Sequence, residues 1–161
     1  MSGGALANFW RSAENVKVVP VAGTPVVWAV SQASPLRRIE VDGDLQLFQY
    51  NCCNPGAGYA SGGYMADMQV TGNVVQGSQQ QWFTRNSNIG SGVGGVWNMV
   101  YVGTPGAPES HCGNANGTTP VSTIPSAPVV LEKPYIIADG SSYKLLRPKV
   151  ELNKVGHTAG W

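Results

Sequence analysis

The chain has 161 residues, which is enough for one domain or for one segment of a larger domain. Only 12% of the residues are charged, and the net charge is +1. Nucleic-acid binders usually carry a basic excess on one face, so this balance argues against a nucleic-acid partner. The sequence has no run of about 18 apolar residues, so it predicts no membrane-spanning helix and no membrane partner.

Glycine and proline are abundant, with 21 and 11 residues respectively. Because they follow no collagen-like repeat, they indicate many turns and exclude long helices, so we predict an all-β fold. The first residues, Met1–Ala7, have neither a basic region nor a long apolar core. We therefore expect no signal peptide there.

Brief apolar or alternating segments, most of them closed by glycine or proline, predict a series of short strands within a single domain, 1–161. The first strands are expected at 16–19, 37–42, 65–70, 84–89 and 97–102. A long loop is predicted at about 104–128, where Pro, Gly, Thr and Asn are frequent. Shorter strands are expected at 129–131, 135–137, 143–146 and 150–152.

The early strands form a loose repeat when Val18, Val41, Val70 and Ile89 are aligned, at intervals of about 19 to 29 residues. Such spacing is typical of a β-solenoid, in which each coil adds one rung and loops of variable length lie between rungs. A β-sandwich of short strands is the alternative that the pattern leaves open. Alternation within the strands predicts a buried core that contains Val18, Ile39, Val41, Met68, Val70 and Ile89.

The same alignment places polar residues in rows that run from coil to coil. Such rows suit sugar hydroxyls, which need paired donors and acceptors, although a solvated sheet face is the explanation that the pattern favours. The first outward row would contain Arg38, Asp67 and Asn86, and the second Glu40, Gln69 and Asn88.

Several longer segments resemble one group within the pectate-lyase-like superfamily of right-handed parallel β-helix proteins. The segments that carry the resemblance are Asn8–Asn15, Trp28–Arg38, Tyr59–Gly63, Gly77–Gly90, Trp97–Gly103, Glu132–Pro134 and Gly160–Trp161. The group consists of large secreted actinobacterial proteins with carbohydrate-related roles. The resemblance implies a right-handed parallel β-helix, a polysaccharide partner and an extracellular location. It supplies no catalytic residue that can be carried over.

Glycoside hydrolysis needs two carboxyl groups, and Glu40 and Asp67 are the candidates that the alignment brings together. They lie on adjacent rungs and adjacent rows, which gives a diagonal of about 8 Å. That separation fits an inverting hydrolase. The alternative is that both carboxylates form salt bridges with Arg37, Arg38 or Arg85.

Aromatic residues cluster in the segments that carry the strongest resemblance. Flat rings can stack on the apolar faces of sugars while polar neighbours bind the hydroxyls. The candidate substrate-binding residues are therefore Trp82, Arg85, Trp97 and Tyr101. Core packing is the alternative, because Trp97 and Tyr101 share one strand face. A stretch of glutamines, 79–81, could bind sugar or form a ladder of stacked side chains.

Two functional hypotheses follow. The first is a β-helix module of a secreted polysaccharide-degrading or polysaccharide-binding protein, which engages glycan on the face of the solenoid. If it is catalytic, it is a glycoside hydrolase or a polysaccharide lyase. The second is a non-catalytic structural solenoid whose open ends pair with further β-helix coils or with copies of itself. No metal or cofactor is expected.

Overall fold

The computed structural model describes residues 4–50, 56–114 and 117–159, and this part of the chain consists mainly of short strands and turns. One 3-10 turn at Ala5–Ala7 precedes the strands. None of the described residues forms a helix that is long and apolar enough to cross a membrane. The predicted all-β fold is confirmed.

Two parallel sheets run along a β-solenoid of about five turns. The first sheet contains β1 (Ala13–Val18), β3 (Leu36–Val41), β5 (Gly63–Ala66), β6 (Gln69–Val70), β8 (Gln81–Arg85), β10 (Asn98–Val102) and β11 (Val121–Ile124). The second sheet contains β2 (Val26–Val27), β4 (Leu45–Gln46), β7 (Asn73–Gly77) and β9 (Ser91–Gly94). Each coil therefore adds one rung to the solenoid, as the spacing predicted.

The register confirms the alignment made from the sequence. Val18 faces Val41, and Val41 faces Val70 on the next rung. The second polar row is also in register, since Glu40 faces Gln69 and Gln69 bridges to Asn88. Because side chains alternate along a strand, these pairings fix which residues enter the solenoid.

The core lies between the two sheets and consists mainly of aliphatic and methionine side chains. Five of the six predicted core residues are buried, and Val18 is half-buried because β1 lies at the end of the sheet. The buried members of the core cluster are Leu36, Ile39, Val41, Leu45, Leu47, Met65, Met68, Val70, Val74, Trp82, Ile89, Met99, Tyr101 and Val121.

The final third of the chain differs from the sequence prediction. Within the predicted loop at 104–128, β11 extends the first sheet by pairing in parallel with β10. The later strands form antiparallel pairs and not further coils: β12 (Ala127–Val130) pairs with β15 (Glu151–Lys154), and β13 (Tyr135–Asp139) pairs with β14 (Ser142–Leu146). We refer to residues 127–159 as the C-terminal arm.

A row of residues in the left-handed conformation marks the corner of successive coils. The φ angles are 57° at Asn15, 49° at Arg38, 57° at Asp67, 46° at Asn86 and 57° at Gly103. Glycine, asparagine and aspartate tolerate this conformation, whereas for a residue such as arginine it is uncommon and costs about 1–2 kcal/mol. We refer to these five residues as the corner row.

Four residues of the corner row are buried and Asn15 is exposed, which corrects the expectation that Arg38, Asp67 and Asn86 face outward to solvent. The C-terminal arm covers it and supplies hydrogen bonds. Arg38 Nη1 donates to the carbonyl of Lys133 at 3.0 Å, and Asn86 Nδ2 donates to the carbonyl of Lys154 at 2.8 Å. The predicted row therefore exists in register, but it binds the arm.

Substitution of Val70 by aspartate should abolish soluble folding. Val70 is 1% exposed within the core, and an unpaired buried carboxylate costs a large part of the stability of a domain, which is about 5–15 kcal/mol. Soluble yield and cooperative urea unfolding would measure this effect. Val27→Asp is the matched control, since Val27 is half exposed on β2. A Val70→Asp protein that unfolds as cooperatively as the control would contradict the register.

Tyr101 should make the fold sensitive to alkali. Burial raises the pKa of Tyr101 to about 12, against about 10 in an unfolded chain. Between these values the unfolded state releases the phenolic proton and the folded state keeps it. The contribution of Tyr101 to stability is therefore fully present below pH about 10 and decreases by about 2–3 kcal/mol as the pH rises to about 12.

Urea unfolding at a series of pH values would measure this decrease, and Tyr101→Phe should reduce the slope between pH about 10 and 12. Tyr143→Phe is the control, because Tyr143 is exposed and should leave the slope unchanged. Equal slopes for the parent chain and Tyr101→Phe would refute the assignment.

Candidate functional site

A groove of about 410 Å³ lies where the chain enters the first sheet on successive coils. The segments before β3 and β5 form it together with the first residues of β3, β5 and β8. We call it the glutamine groove, because Gln32 and Gln81 both line it and both are exposed. Its full lining is Gln32, Ala33, Ser34, Pro35, Arg37, Ser61, Gly62, Gly63, Tyr64 and Gln81.

The part of the groove at Gly62 and Gly63 depends on two glycines packed against β8. A Cβ on Gly63 would lie 2.2 Å from the ring of Trp82, so any side chain there would displace the indole. Gly62 has a φ of 111°, and a Cβ on it would lie 2.9 Å from the carbonyl oxygen of Gln81. The two glycines thus let the third coil lie directly against the fourth.

Gln79 holds the groove in place from beneath. Its side chain is fully buried, and its Oε1 accepts a hydrogen bond from the amide of Gly62 at 2.7 Å. Its Nε2 donates to the carbonyls of Val30 and Leu47 at 2.9 and 2.7 Å. Gln79 therefore ties the loops of several coils together, while Gln81, two residues later, faces solvent.

Aromatic and guanidinium groups form one wall. The guanidinium of Arg37 lies 5.1 Å from the ring centroid of Tyr64, and this ring contacts Phe83 at 5.5 Å between centroids. Arg85 Nη2 donates to the hydroxyl of Tyr64 at 3.1 Å and to Glu132 Oε2 at 2.8 Å. Burial alone would lower the pKa of Arg85, but the hydrogen bonds to Glu132 and Tyr64 outweigh it and raise the pKa.

Apart from Arg37, which pairs with Glu14 at 3.8 Å, the side chains that line the groove are uncharged, so the lining suits neutral polar ligands. Its side chains offer amides at Gln32 and Gln81 and a hydroxyl at Ser61, and each of these can both donate and accept hydrogen bonds. No carboxylate is among the residues that line it. Trp97 lies on the neighbouring rung, since its amide donates to the carbonyl of Gln80, and it is 57% exposed.

Trp82 and Tyr101, two of the predicted substrate-binding residues, are in the core. They are 2% and 1% exposed, so neither ring can stack on a sugar at the surface. The hydroxyl of Tyr101 accepts a hydrogen bond from Gln76 inside the solenoid. The alternation of β8 and β10 points both rings inward, which corrects their expected role.

The proposed catalytic pair, Glu40 and Asp67, is engaged in separate ion pairs. Glu40 lies 3.1 Å from Lys17 on the surface. Asp67 is 1% exposed, lies 3.6 Å from Lys154 and accepts a hydrogen bond from the amide of Thr158. Salt bridging was the stated alternative, but the partners are lysines and not the expected arginines. Neither carboxylate lines the glutamine groove.

The other two predicted residues, Arg85 and Trp97, lie on the rungs next to the groove and differ in how firmly neighbouring side chains hold them. Arg85 is held between Tyr64 and Glu132, so it supports the wall. Trp97 is largely exposed and available for contact. Sequence reasoning missed Gln32, Ser61 and Tyr64 as groove residues. A usable signal was that Ser61 and Tyr64 lie beside glycine and that Gln32 and Ser61 lie in segments that carry the family resemblance.

The two adjacent cysteines, Cys52 and Cys53, lie outside the described residues. Cys112 carries a free, exposed thiol.

Comparison with known proteins gives a consistent result. No protein-family model matches the chain. An exo-beta-1,3-glucanase of Streptomyces sp. (strain SirexAA-E / ActE) is 45% identical over 158 residues, which cover 98% of this chain and 24% of the glucanase. This chain is a homologue of one segment of that enzyme. The resemblance to an actinobacterial, carbohydrate-related β-helix group is thereby confirmed.

Solved structures support the same relationship. The structure of SacteLam55A from Streptomyces sp. SirexAA-E superposes with a TM-score of 0.84 at 45% identity and covers 98% of this chain. A variant of SacteLam55A in complex with glucose gives a TM-score of 0.85 at 43% identity. The chain spans about a quarter of the length of these relatives.

Proposed function

We propose that the chain is a glycan-binding module of a secreted β-1,3-glucan-degrading protein and that the glutamine groove holds the glucan. The observation that carries this proposal is a groove of amide and hydroxyl groups, with an exposed tryptophan, Trp97, on the rung next to Gln80. Amides pair with sugar hydroxyls, and an indole stacks on the C–H face of a sugar ring. The homologous glucanase supports the choice of substrate class.

The proposed role of the groove is binding and not hydrolysis. Hydrolysis of a glycosidic bond generally requires two carboxyl groups that flank it, and the residues that line the groove include none. Amide, hydroxyl and aromatic groups instead position a sugar chain. In a degrading enzyme this groove would therefore hold the glucan, and carboxyl groups outside it would perform the reaction.

Trp97→Ala should weaken binding of laminarin, a β-1,3-glucan, by about threefold to tenfold, because it removes the stacking surface. Gln81→Ala should weaken it in the same direction by removing an exposed amide. Affinity electrophoresis with laminarin in the gel would measure both. Tyr143→Ala is the control, since Tyr143 is an exposed aromatic residue on the arm and does not line the groove.

If Trp97→Ala and Gln81→Ala are retarded by laminarin as strongly as the parent chain, the glucan binds elsewhere. The same conclusion follows if Tyr143→Ala loses as much retardation as they do. Absence of any retardation of the parent chain by laminarin would refute glucan binding by this chain.

A structural, self-associating solenoid is the second candidate, and the end at β1 and β2 favours it. Within the described residues, β1 pairs only with β3 and β2 only with β4, so each leaves one strand edge unpaired. Val16, Val19 and Val27 are exposed at this end. An open edge with apolar side chains can recruit another strand, from a further coil or from a second copy.

If copies associate through this end, the mass in sedimentation equilibrium should rise with protein concentration, and Val16→Lys should suppress the rise. Leu145→Lys is the control, because Leu145 is exposed on β14 of the arm and belongs to neither of these two strands. A constant monomer mass would exclude the self-associating alternative.

A further inference from the structure

A second row of stacked residues lies where the chain enters the first sheet. Its members stand three residues before positions that face one another on successive coils, namely Ala13, Leu36, Met65 and Thr84. We call it the entry row, and it consists of Trp10, Ala33, Gly62 and Gln81. The last three of these residues line the glutamine groove. Trp10 is therefore the member of the row that lies on the coil before the groove.

Backbone hydrogen bonds on both sides of Trp10 hold its segment against the second coil. The amide of Ser31 donates to the carbonyl of Asn8 at 2.9 Å, and the amide of Ala13 donates to the carbonyl of Pro35 at 3.3 Å. The register of the first sheet thus continues through Trp10. The segment of the second coil that it runs beside is the one that contributes to the lining of the groove.

The entry row also shares an unusual backbone conformation. The φ angles are 58° at Trp10, 56° at Ala33 and 111° at Gly62, all in the left-handed region. Because Trp10 and Ala33 have the same register and nearly the same φ, their side chains leave the backbone on the same side of the solenoid. Ala33 lines the groove, so the indole of Trp10 lies on the face of the solenoid that contains the groove.

Neither the conformation nor the exposure of Trp10 favours the fold by itself. The left-handed region is uncommon for a bulky residue, and an indole that is 78% exposed gives up the burial that stabilises large aromatic side chains. Arg11 restrains this turn, since its Nη1 donates to the carbonyls of Phe9 and Trp10 at 3.2 and 3.3 Å. Unfavourable backbone conformations are concentrated at sites of ligand contact, so a restrained, exposed indole points to a ligand.

The surface between Trp10 and Trp97 is shaped for a chain of sugar rings. Rungs about 4.8 Å apart place Trp10 about 19 Å from Asn98, which faces Gln81 on the next coil and directly follows Trp97. The small side chain of Ala33 leaves the surface beside Trp10 open. Two exposed tryptophans therefore flank the amide and hydroxyl groups of the groove, one on the coil before it and one on the coil after it.

We propose that Trp10 is a second stacking platform and that the glucan lies along the axis of the solenoid, from Trp10 across the groove to Trp97. This inference rests on the glucan-binding function proposed above and adds the direction and the length of the bound chain. Each indole stacks on the C–H face of a sugar ring, and the amides between them bind hydroxyls. A chain of several glucose units contacts both tryptophans, whereas a disaccharide reaches only one of them.

Two β-1,3-linked glucose oligomers, of two and of six units, test this arrangement by isothermal titration calorimetry with the full chain. Trp10→Asn is the variant, because asparagine tolerates the left-handed conformation and keeps the turn. We expect it to weaken hexasaccharide binding by about threefold to tenfold and to change disaccharide binding by less than about twofold. Trp10→Phe retains a flat ring and should keep most of the hexasaccharide affinity. Tyr143→Ala is the control and should leave both affinities unchanged, since Tyr143 is an exposed aromatic residue on the arm.

Hexasaccharide binding by Trp10→Asn that equals binding by the parent chain would overturn the proposal. Urea unfolding of the same variants tests whether Trp10 acts only through the fold. A lower unfolding midpoint in Trp10→Asn, together with weak binding that Trp10→Phe does not restore, would make Trp10 a structural residue and would also overturn the proposal.

The disaccharide separates a failure of the role of Trp10 from a failure of the glucan-binding function. If the parent chain binds both oligomers and Trp97→Ala weakens both, while Trp10→Asn weakens neither, the groove binds glucan without Trp10. Only the role of Trp10 is then refuted. If the parent chain binds neither oligomer, glucan binding itself is refuted, and the role of Trp10 with it.

Discussion

Five successive coils of the solenoid turn a corner through one residue in the left-handed conformation, which lies within β1 and β3 and directly after β5, β8 and β10. Stacking of the coils brings these residues into one row, from Asn15 to Gly103. A corner made in this way carries polar side chains and backbone groups that need partners once they are covered. The C-terminal arm supplies those partners, so the position of the arm follows from the corners.

The arm in turn connects the corner row to the glutamine groove. Arg85 precedes Asn86 of the corner row, and its guanidinium donates to Tyr64 in the groove wall and to Glu132 of the arm. A paired, half-buried guanidinium of this kind restricts both neighbours, because bonds to charged groups are among the stronger ones in proteins. Displacement of the arm would therefore remove support from the groove wall.

The sequence was sufficient to predict the register of the rungs but not which of their residues the C-terminal arm covers. Repeated valines at 18, 41 and 70 predicted the register correctly, because a shift by one residue would expose the whole set. Burial of the corner row depends on contacts such as that between Arg38 and Lys133, which are 95 residues apart. A local pattern contains no information about which distant segment covers a polar row.

The burial of Trp82 and Tyr101 was wrongly predicted for a related reason. Trp82 could be a surface platform or a core residue, and the decision rests on Gly63, whose missing side chain leaves room for the indole. The strand β11 was missed because its four residues, Val121–Ile124, include serine and threonine within a stretch rich in turn formers. Pairing with β10 stabilises it there, which illustrates how tertiary contacts override local preference.

Ion pairing also bears on what the solenoid can do chemically. The carboxylates near the corner row are engaged with basic side chains: Glu14 with Lys133, Asp67 with Lys154 and Glu132 with Arg85. These pairs hold the arm on the solenoid, so one of these three carboxylates could act in hydrolysis only by giving up a structural partner. The groove, in contrast, presents amides and hydroxyls whose hydrogen bonds can be exchanged with a sugar at little cost. This chemistry favours a division of roles, in which the carboxylates support the fold and neutral groups contact the glycan.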